Sequence, residues 1–495
     1  MGYIQGVSRQ QTMLLPESVE DYVGADNPVR VIDAFVEGLD LAALGWTLVS
    51  EGSVGAPPYP PQMHLKLLLY GYLNRVRSSR DLEKATRRNL EVIWLLGGLK
   101  PDHWTIHDFR REHRGRFKAV FRQFNVLCGG LGLFGGELVA IDGTFLKAVN
   151  HPSRNFTKAK VEQMLKEIDE RTERYLETLE QADAEAPAQS LGDTGEPEQA
   201  KAVRLREQIA QLEQQRREHA EILTRLAAEP GTQLSLTDPD SRSLQKGHER
   251  VVGYNAQIAV DAAQHLIVVE EVTQEPNDSQ MLAPMAEAAR DALGVKELEA
   301  VGDRGYYNIS QLQRCQEQGV IAYVPAPRPA SVAGDGTYPD KSFRYEAQTD
   351  RFICPRGEAL NRHQDTKKAS GLYRVYYNLR ACRSCPMRSA CTRGAYRKLT
   401  VHEHAETVAA ARQRLRGRPG ILGQRKGLVE HPFGTLKFWM GYRAFLTRGL
   451  EMVRAEFSLS CLAYNLRRAL NLLGVPALLD AMQVMSAPKA TILEA

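Results

Sequence analysis

The sequence predicts a mixed α/β protein whose sheet is assembled from separated stretches of chain, with an all-helical region ahead of it and two insertions within it. Three observations carry this expectation. Apolar residues at helical spacing dominate the first 130 residues. Short apolar runs that end in an acid recur at Glu137–Thr144 and Leu298–Asp303, with further strand-like runs between and after them. A heptad-patterned stretch and a cysteine-bearing stretch separate those runs. At 495 residues the chain is also too long for one ordinary domain.

Taken in order, residues 1–130 read as a helical region. Pro60-Pro61 opens a helix in which Leu65, Leu68, Leu69, Tyr72 and Leu73 share helical spacing. Ser78-Ser79-Arg80-Asp81 reads as a capping box for a second helix, stopped by Gly97-Gly98. Thr105-Ile106-His107-Asp108 reads as another, opening a helix that carries Arg110, Arg111, Arg114, Arg116, Lys118 and Arg122. Short helices with a basic last member suit a helix-turn-helix-like DNA-binding module, and equally a plain bundle with an exposed basic face.

Residues 135–157 begin the sheet, with an apolar strand leading to Asp142-Gly143. Residues 158–230 change character. Val161, Leu165, Ile168, Thr172, Tyr175 and Leu179 follow a 4-3 spacing, as do Leu205, Ile209, Leu212, Arg216, His219 and Leu223. The stretch between them, Gln181–Ala200, is rich in Ala, Gly, Pro and acid, so an inserted antiparallel helical hairpin is expected, rather than a dimerisation rod. The sheet resumes over 250–330: strands at Val251–Val260 and His265–Val272, a helix at Asn277–Ala292, a strand ending at Asp303, a helix at Tyr306–Gln318 and a strand at Val320–Pro325. A cysteine-bearing insertion is expected over 335–400, the last part of the core over 401–475, and a tail over 476–495.

The net charge is only +4, but its distribution is uneven. Gln62–Arg122 holds 14 Lys/Arg against 6 Asp/Glu, and Arg351–Arg448 holds 21 against 5. Two basic blocks in a near-neutral chain point to a polyanion partner, or to solvated helix faces. Seven cysteines, an odd number in a long chain, argue against a secreted disulfide scaffold. With no signal-like start and no apolar run of the roughly 20 residues a bilayer needs, a cytoplasmic protein is expected, without a membrane partner.

Two strand-end carboxylates converging in one cleft would repel each other and attract a hard divalent cation such as Mg2+ or Mn2+. Asp142 and Asp303 occupy such positions. The best third acid is Glu430, within the basic run from Arg425 to Lys437. These residues carry a resemblance. Ile141-Asp142-Gly143-Thr144, Gly302-Asp303-Arg304-Gly305-Tyr306-Tyr307, and Val429-Glu430 followed by Phe433-Gly434 and Lys437 resemble the signature of bacterial insertion-sequence transposases of the DDE class. Pro28-Val29-Arg30, the Leu65–Asn74 helix and Cys461-Leu462-Ala463-Tyr464-Asn465-Leu466 extend the likeness over most of the chain.

The resemblance implies a ribonuclease-H-like catalytic core in which Asp142, Asp303 and Glu430 hold two Mg2+ or Mn2+ ions about 3.5–4 Å apart, with the carboxylates within about 8 Å of one another. It implies double-stranded DNA as partner, both terminal inverted repeats and target, at least a homodimer on DNA, and a bacterial protein that is nucleoid-associated when bound. The related signature places Tyr, Arg, Glu and Lys at fixed spacing. Lys437 fits; the arginine position falls on Lys426, beside Arg425, and the tyrosine position on Gly423. Arg425, Lys426 and Lys437 are expected to grip phosphates, together with Arg110, Arg111 and Arg114 of the N-terminal region; for Lys437 a structural ion pair is the plainer alternative. Pro432 is expected in a first helical turn or at a kink. Two rivals use subsets of these features: a metal-dependent nuclease without strand transfer, and a zinc-stabilised DNA-binding regulator.

Cys354, Cys382, Cys385 and Cys391 form a four-thiol set that could hold a tetrahedral Zn2+, with sulfurs within about 4 Å of each other. Reduced structural cysteines and redox chemistry are the other readings. Cys128, Cys315 and Cys461 sit in apolar surroundings and are expected in the core.

Overall fold

The computed structural model describes residues 18–46, 58–184, 198–228, 233–246, 249–327, 338, 342–368 and 371–486. Most of the expected Gln181–Ala200 linker and the end of the 476–495 tail lie outside these residues.

The N-terminal helices begin where side chains can cap them. Asn27 caps α1 (Pro28–Glu37), with Pro28 in the first turn, where its missing N–H costs nothing. Helix α2 (Pro61–Leu73) is buried on almost every side. Ser78 and Asn89 cap α3 (Ser79–Arg88) and α4 (Leu90–Leu95). The next helix, α5 (His103–Glu112), starts ahead of the expected Thr105 because Asp102 accepts the Thr105 N–H at 2.7 Å. The expected single basic helix is in fact two, since the chain breaks after Glu112 and resumes as α6 (Phe117–Gly130).

The main sheet starts with β1 (Leu138–Lys147). A short ladder of β2 (Asn155–Thr157) and β3 (Gln233–Ser235) closes the base of the helical hairpin α7 (Lys158–Ala184) and α8 (Glu198–Ala228). Its base is an apolar cluster of its own: Phe156, Val161, Ile222, Leu226 and Leu234. Then follow β4 (Arg242–Lys246), β5 (Glu249–Asp261), β6 (Ile267–Thr273), α9 (Leu282–Leu293), β7 (Leu298–Val301), α10 (Ile309–Glu317) and β8 (Val320–Tyr323).

Strand order is β4-β5-β1-β7-β8, with β6 also on β5. The pairs β1–β5, β4–β5 and β5–β6 are antiparallel; β1–β7 and β7–β8 are parallel, with α9 leading into β7 and α10 crossing from β7 to β8.

A second, antiparallel sheet of β9 (Arg344–Glu346), β10 (Arg351–Ile353), β11 (Ala359–Lys368), β12 (Gly371–Tyr377) and β13 (Lys398–His402) occupies the cysteine-bearing stretch. Two short helices between its last strands, α11 (Leu379–Arg383) and α12 (Arg388–Cys391), carry Cys382 and Cys391, with Cys385 in the turn between them. The chain ends in α13 (Ala405–Gly417), α14 (Ile421–Gly434) and α15 (Leu450–Ser486), the last broken at Gly474.

Helices cover both faces of the main sheet. Val139, Ile141, Ala259 and Ala300 pack against α9 and α10. Leu138, Ala140, Ile258 and Val260 face a larger cluster that takes in α14, α15 and the N-terminal helices. Helix α15 is the common support, touching α1, α2, α6 and β6. Its buried Glu456 binds the N-terminal region through Arg77 at 3.3 Å and accepts the Leu446 and Thr447 N–H groups at 3.0 Å. Cys128, Cys315 and Cys461 are buried in these cores.

Candidate active site

Strands β1 and β7 pair as Leu138 with Glu299, Val139 with Ala300 and Ala140 with Val301. The same offset, carried past the end of the ladder, sets Asp142 beside Asp303. Alternation along a strand turns Asp142 to the same face as Ala140. That face is covered by α14, and Arg425 of α14 brings its Nη1 to 3.3 Å from Asp142 Oδ1.

Asp142 is not at a strand end as expected: β1 continues to Lys147 because β5 still pairs with it. What ends is β7, at Val301, and the sheet opens beside Asp142 for that reason. Asp303 then caps a 3-10 turn, Arg304–Tyr306, by accepting the Gly305 N–H at 2.7 Å.

Behind the two aspartates lies a polar network that sequence reasoning missed. The hydroxyl of buried Tyr306 donates to Gln257 Oε1. Gln257 Nε2 and Asn255 Nδ2 both donate to Asp278 Oδ1, at 2.6 and 2.8 Å. Burial holds the Tyr306 phenol well above its usual pKa, and the negative charges of Asp278, Asp142 and Asp303 add to this while Arg425 opposes it. Three carboxylates are therefore close enough to act on one hydroxyl.

Glu430 stands apart. Its side chain is 64% exposed and pairs with Lys426 at 3.6 Å. On a helix, five residues separate it from Arg425 by about 140°, so it sits on a different side of α14 from the residue that faces Asp142. Among the described residues no group of three His, Cys, Asp or Glu side chains is arranged to hold a metal ion. The donor chemistry of Asp142 and Asp303 nonetheless suits a hard divalent cation.

The structure places the basic candidates unequally. Lys437 Nζ donates to Thr144 Oγ1, on β1 two residues past Asp142. It does so from a π-turn, Thr435–Trp439, that follows α14. Pro432 falls in the last turn of α14 rather than the first, and its missing N–H leaves the helix ladder one bond short just before the backbone widens.

Arg110 is only 4% exposed and donates to the Arg77 carbonyl at 3.1 Å, so its guanidinium is held inside the protein. Arg111 is exposed and pairs with Asp108 at 3.1 Å; Arg114 donates to the Arg111 carbonyl at 2.7 Å. Two further residues of the π-turn went unnoticed in the sequence. Phe438 and Trp439 are 68% and 61% exposed. Arg443 lies over Phe438, and Arg467 and Arg75 over Trp439, at 5.2, 5.3 and 5.9 Å from the ring centroids. The only sequence signal was two adjacent aromatics in a basic run.

The four cysteines of the second sheet influence one another electrostatically, but among the described residues no three of them are arranged to hold a metal ion as the sequence led us to expect. Cys354 and Cys391 pack at its apolar cluster, and Cys391 lies within electrostatic reach of the other three thiols. Burial pushes the Cys391 thiol up. Cys385 is held below its usual value by a hydrogen bond from Arg356 and by the Met387 N–H, as a thiolate-stabilising turn would do.

Comparison with known proteins agrees with the sequence signature. Residues 353–470 match a family described as "Transposase DDE domain", a segment that includes Glu430, the four cysteines and strands β11 to β13. Residues 17–112 match "Transposase domain (DUF772)". Asp142 and Asp303 lie outside both segments. No curated protein matches. One solved structure that matches is a cryo-EM structure of the piggyBac transposase synaptic complex with hairpin DNA, at 8% identity over 93% of this chain and 79% of that one, with a TM-score of 0.31. The two matched segments are thus similar to a transposase DDE domain and to a DUF772 transposase domain, and together they span residues 17–112 and 353–470.

Proposed function

We propose that the protein is a DNA transposase that cleaves the ends of its element and joins them to target DNA, with Asp142, Asp303 and Glu430 as its catalytic acids. The observation that carries this reading is the register of β1 and β7, which sets two distant aspartates side by side under α14, in a chain with a transposase DDE segment. The strand order, with β5 and β6 antiparallel to one side of β1 and β7 and β8 parallel on the other, supports a ribonuclease-H-like core.

Asp142 and Asp303 would hold the divalent cations, and Glu430 would join them from α14. Bound at these carboxylates, two Mg2+ or Mn2+ ions supply Lewis acidity at the scissile phosphate. Water attacks that phosphorus in line and the 3′-oxygen leaves, taking a proton. The freed 3′-OH then attacks a target phosphodiester in the same way. Lys437, Lys426 and Arg425 would hold phosphates near the reacting bond, and Trp439 and Phe438, flanked by arginines, offer faces for unstacked bases. Arg111 and Arg114 would add backbone contacts. Pairing two ends calls for a homodimer on DNA.

The decisive experiment incubates the protein with labelled element ends, a second duplex and Mg2+. Joining of a cut end to the second duplex supports transposition. Cutting without joining favours the simple nuclease, and binding without cutting favours a DNA-binding regulator. For the cysteines we propose a structural Zn2+ at Cys354, Cys382, Cys385 and Cys391, supported by the Cys382–Cys385 spacing and by the electrostatic influence of the other three thiols on Cys391. Elemental analysis should find about one zinc per chain, bound through four thiolates; protein free of zinc yet fully folded contradicts it.

A further inference from the structure

Asn255 and Gln257 lie fully buried on β5, at positions whose neighbour on the same face, Ala259, packs in an apolar cluster. Buried amides are costly unless every donor and acceptor is used, so their presence here asks for a purpose. Their bonds run one way. Gln257 Oε1 is taken by the Tyr306 hydroxyl and Asn255 Oδ1 by Gln257 Nε2, which leaves both amide nitrogens to converge on Asp278 Oδ1. A carboxylate only accepts, and so completes the chain.

The position of that carboxylate is specific. A Cβ on Gly143 would stand 2.7 Å from Asp278 Oδ1, and one on Gly305 would stand 3.6 Å from Asp278 Oδ2 and 2.9 Å from Asp303 Oδ1. Gly143 directly follows Asp142, and Gly305 comes two residues after Asp303. Asp278 is thus lodged against both segments that present the aspartates. It approaches β1 from the face opposite Asp142, since side chains alternate across the strand. A side chain at Gly143 would collide with Asp278 and with Gln257, whose Nε2 would stand 2.1 Å from its Cβ, whereas at Gly305 the collision would be with Asp303, and Asp278 would stay in ordinary contact.

We propose that Asp278 is a positioning residue of the site: held by Asn255 and Gln257, its carboxylate wedges the segments bearing Asp142 and Asp303 at the separation a shared divalent cation needs. The inference rests on the reading of Asp142 and Asp303 as cation-holding acids. Asp278 acts through their placement from behind and need not touch the cation. The exchange Asp278→Asn keeps an Oδ1 that accepts both amides, whereas Asp278→Ala removes the wedge.

The test is Mn2+ binding to the full chain, followed by electron paramagnetic resonance of the free ion. Affinity is read from the titration midpoint, so that loss of folded protein changes the amplitude and not the result. Wild type, Asp142→Asn, Asp278→Ala and Asp278→Asn are compared. The proposal expects Asp278→Ala to bind Mn2+ at least tenfold more weakly and Asp278→Asn to stay within threefold of wild type. If Asp142→Asn weakens binding but Asp278→Ala stays within threefold of wild type, this proposal alone is overturned. An Asp278→Asn as weak as Asp278→Ala also overturns it, because charge rather than position would then matter. If wild type binds no Mn2+, or Asp142→Asn binds as wild type does, the parent reading fails and this one with it.

Discussion

Lys437 and Glu270 show how differently two charged side chains can be read from a sequence. Lys437 was legible because its distance from Glu430 matched a signature, and the structure directs its Nζ at Thr144, near Asp142. Replacing it with Ala should weaken DNA binding, lower the salt dependence by about one released counterion, and leave the melting temperature nearly unchanged. A destabilised variant with unimpaired cleavage per folded molecule would assign Lys437 a structural role.

Glu270 gave no sequence signal, since nothing in a β-strand pattern marks an acid that will be fully buried. Burial raises its carboxyl from 4.5 to about 7, partly offset by Lys118 and by a hydrogen bond from the Ser458 hydroxyl at 2.7 Å. The folded protein therefore keeps a proton on Glu270 that the unfolded chain releases between about pH 4.5 and 7. Stability from this group is full below pH 4.5 and is lost as pH rises through that window. Glu270→Gln should flatten the decline, with a gain over wild type of up to about 3 kcal/mol by pH 8. Urea unfolding of both proteins at pH 5 and pH 8 measures it. Glu430 marks the limit at this scale: its place in the signature was readable, but the rotation of α14 that leaves it 64% exposed was not.

Among the elements, those with a clear period were legible and those without one were not. Val161 and Ile168 of the heptad pattern are buried, and Arg216 of the facing helix meets Asp169 at 2.7 Å. Because the hairpin base rests on its own small apolar cluster, α7 and α8 should be dispensable for the rest of the fold. Joining Thr157 to Gln233 through a short Gly-Ser turn should leave a protein whose sheet still forms, with a melting temperature within a few degrees of wild type. Loss of cooperative unfolding in that variant would show that the hairpin supports the core. The second sheet stayed hidden because a strand such as β11, Ala-Leu-Asn-Arg-His-Gln-Asp-Thr-Lys-Lys, has no apolar alternation to betray it. Its order comes from pairing with β10 and β12, which no local pattern records. The capping signals were readable to within a few residues: Ser78 caps α3 as its sequence suggests, while Asp102 displaced Thr105 because its carboxylate accepts the Thr105 N–H and starts the helix three residues earlier.

At the scale of the whole molecule, the acids are brought together by topology. A parallel pairing of β1 with β7 cannot be deduced from either strand alone, yet it alone sets Asp142 beside Asp303 across an intervening helical hairpin, five strands and a helix. Helix α15 ties this sheet to the N-terminal helices in one apolar cluster, so the matched N-terminal segment and the sheet share a core. The central claim is that Asp142, Asp303 and Glu430 form one catalytic site. The most direct measurement is Mg2+-dependent cleavage of the element's own ends by wild type and by Asp142→Asn, Asp303→Asn and Glu430→Gln, each checked for folding and DNA binding. Each substitution should lower cleavage by at least about a thousandfold, roughly 4 kcal/mol of barrier, while DNA binding persists. Cleavage that survives Asp142→Asn or Asp303→Asn would contradict the site itself, and cleavage that survives only Glu430→Gln would contradict the assignment of the third acid.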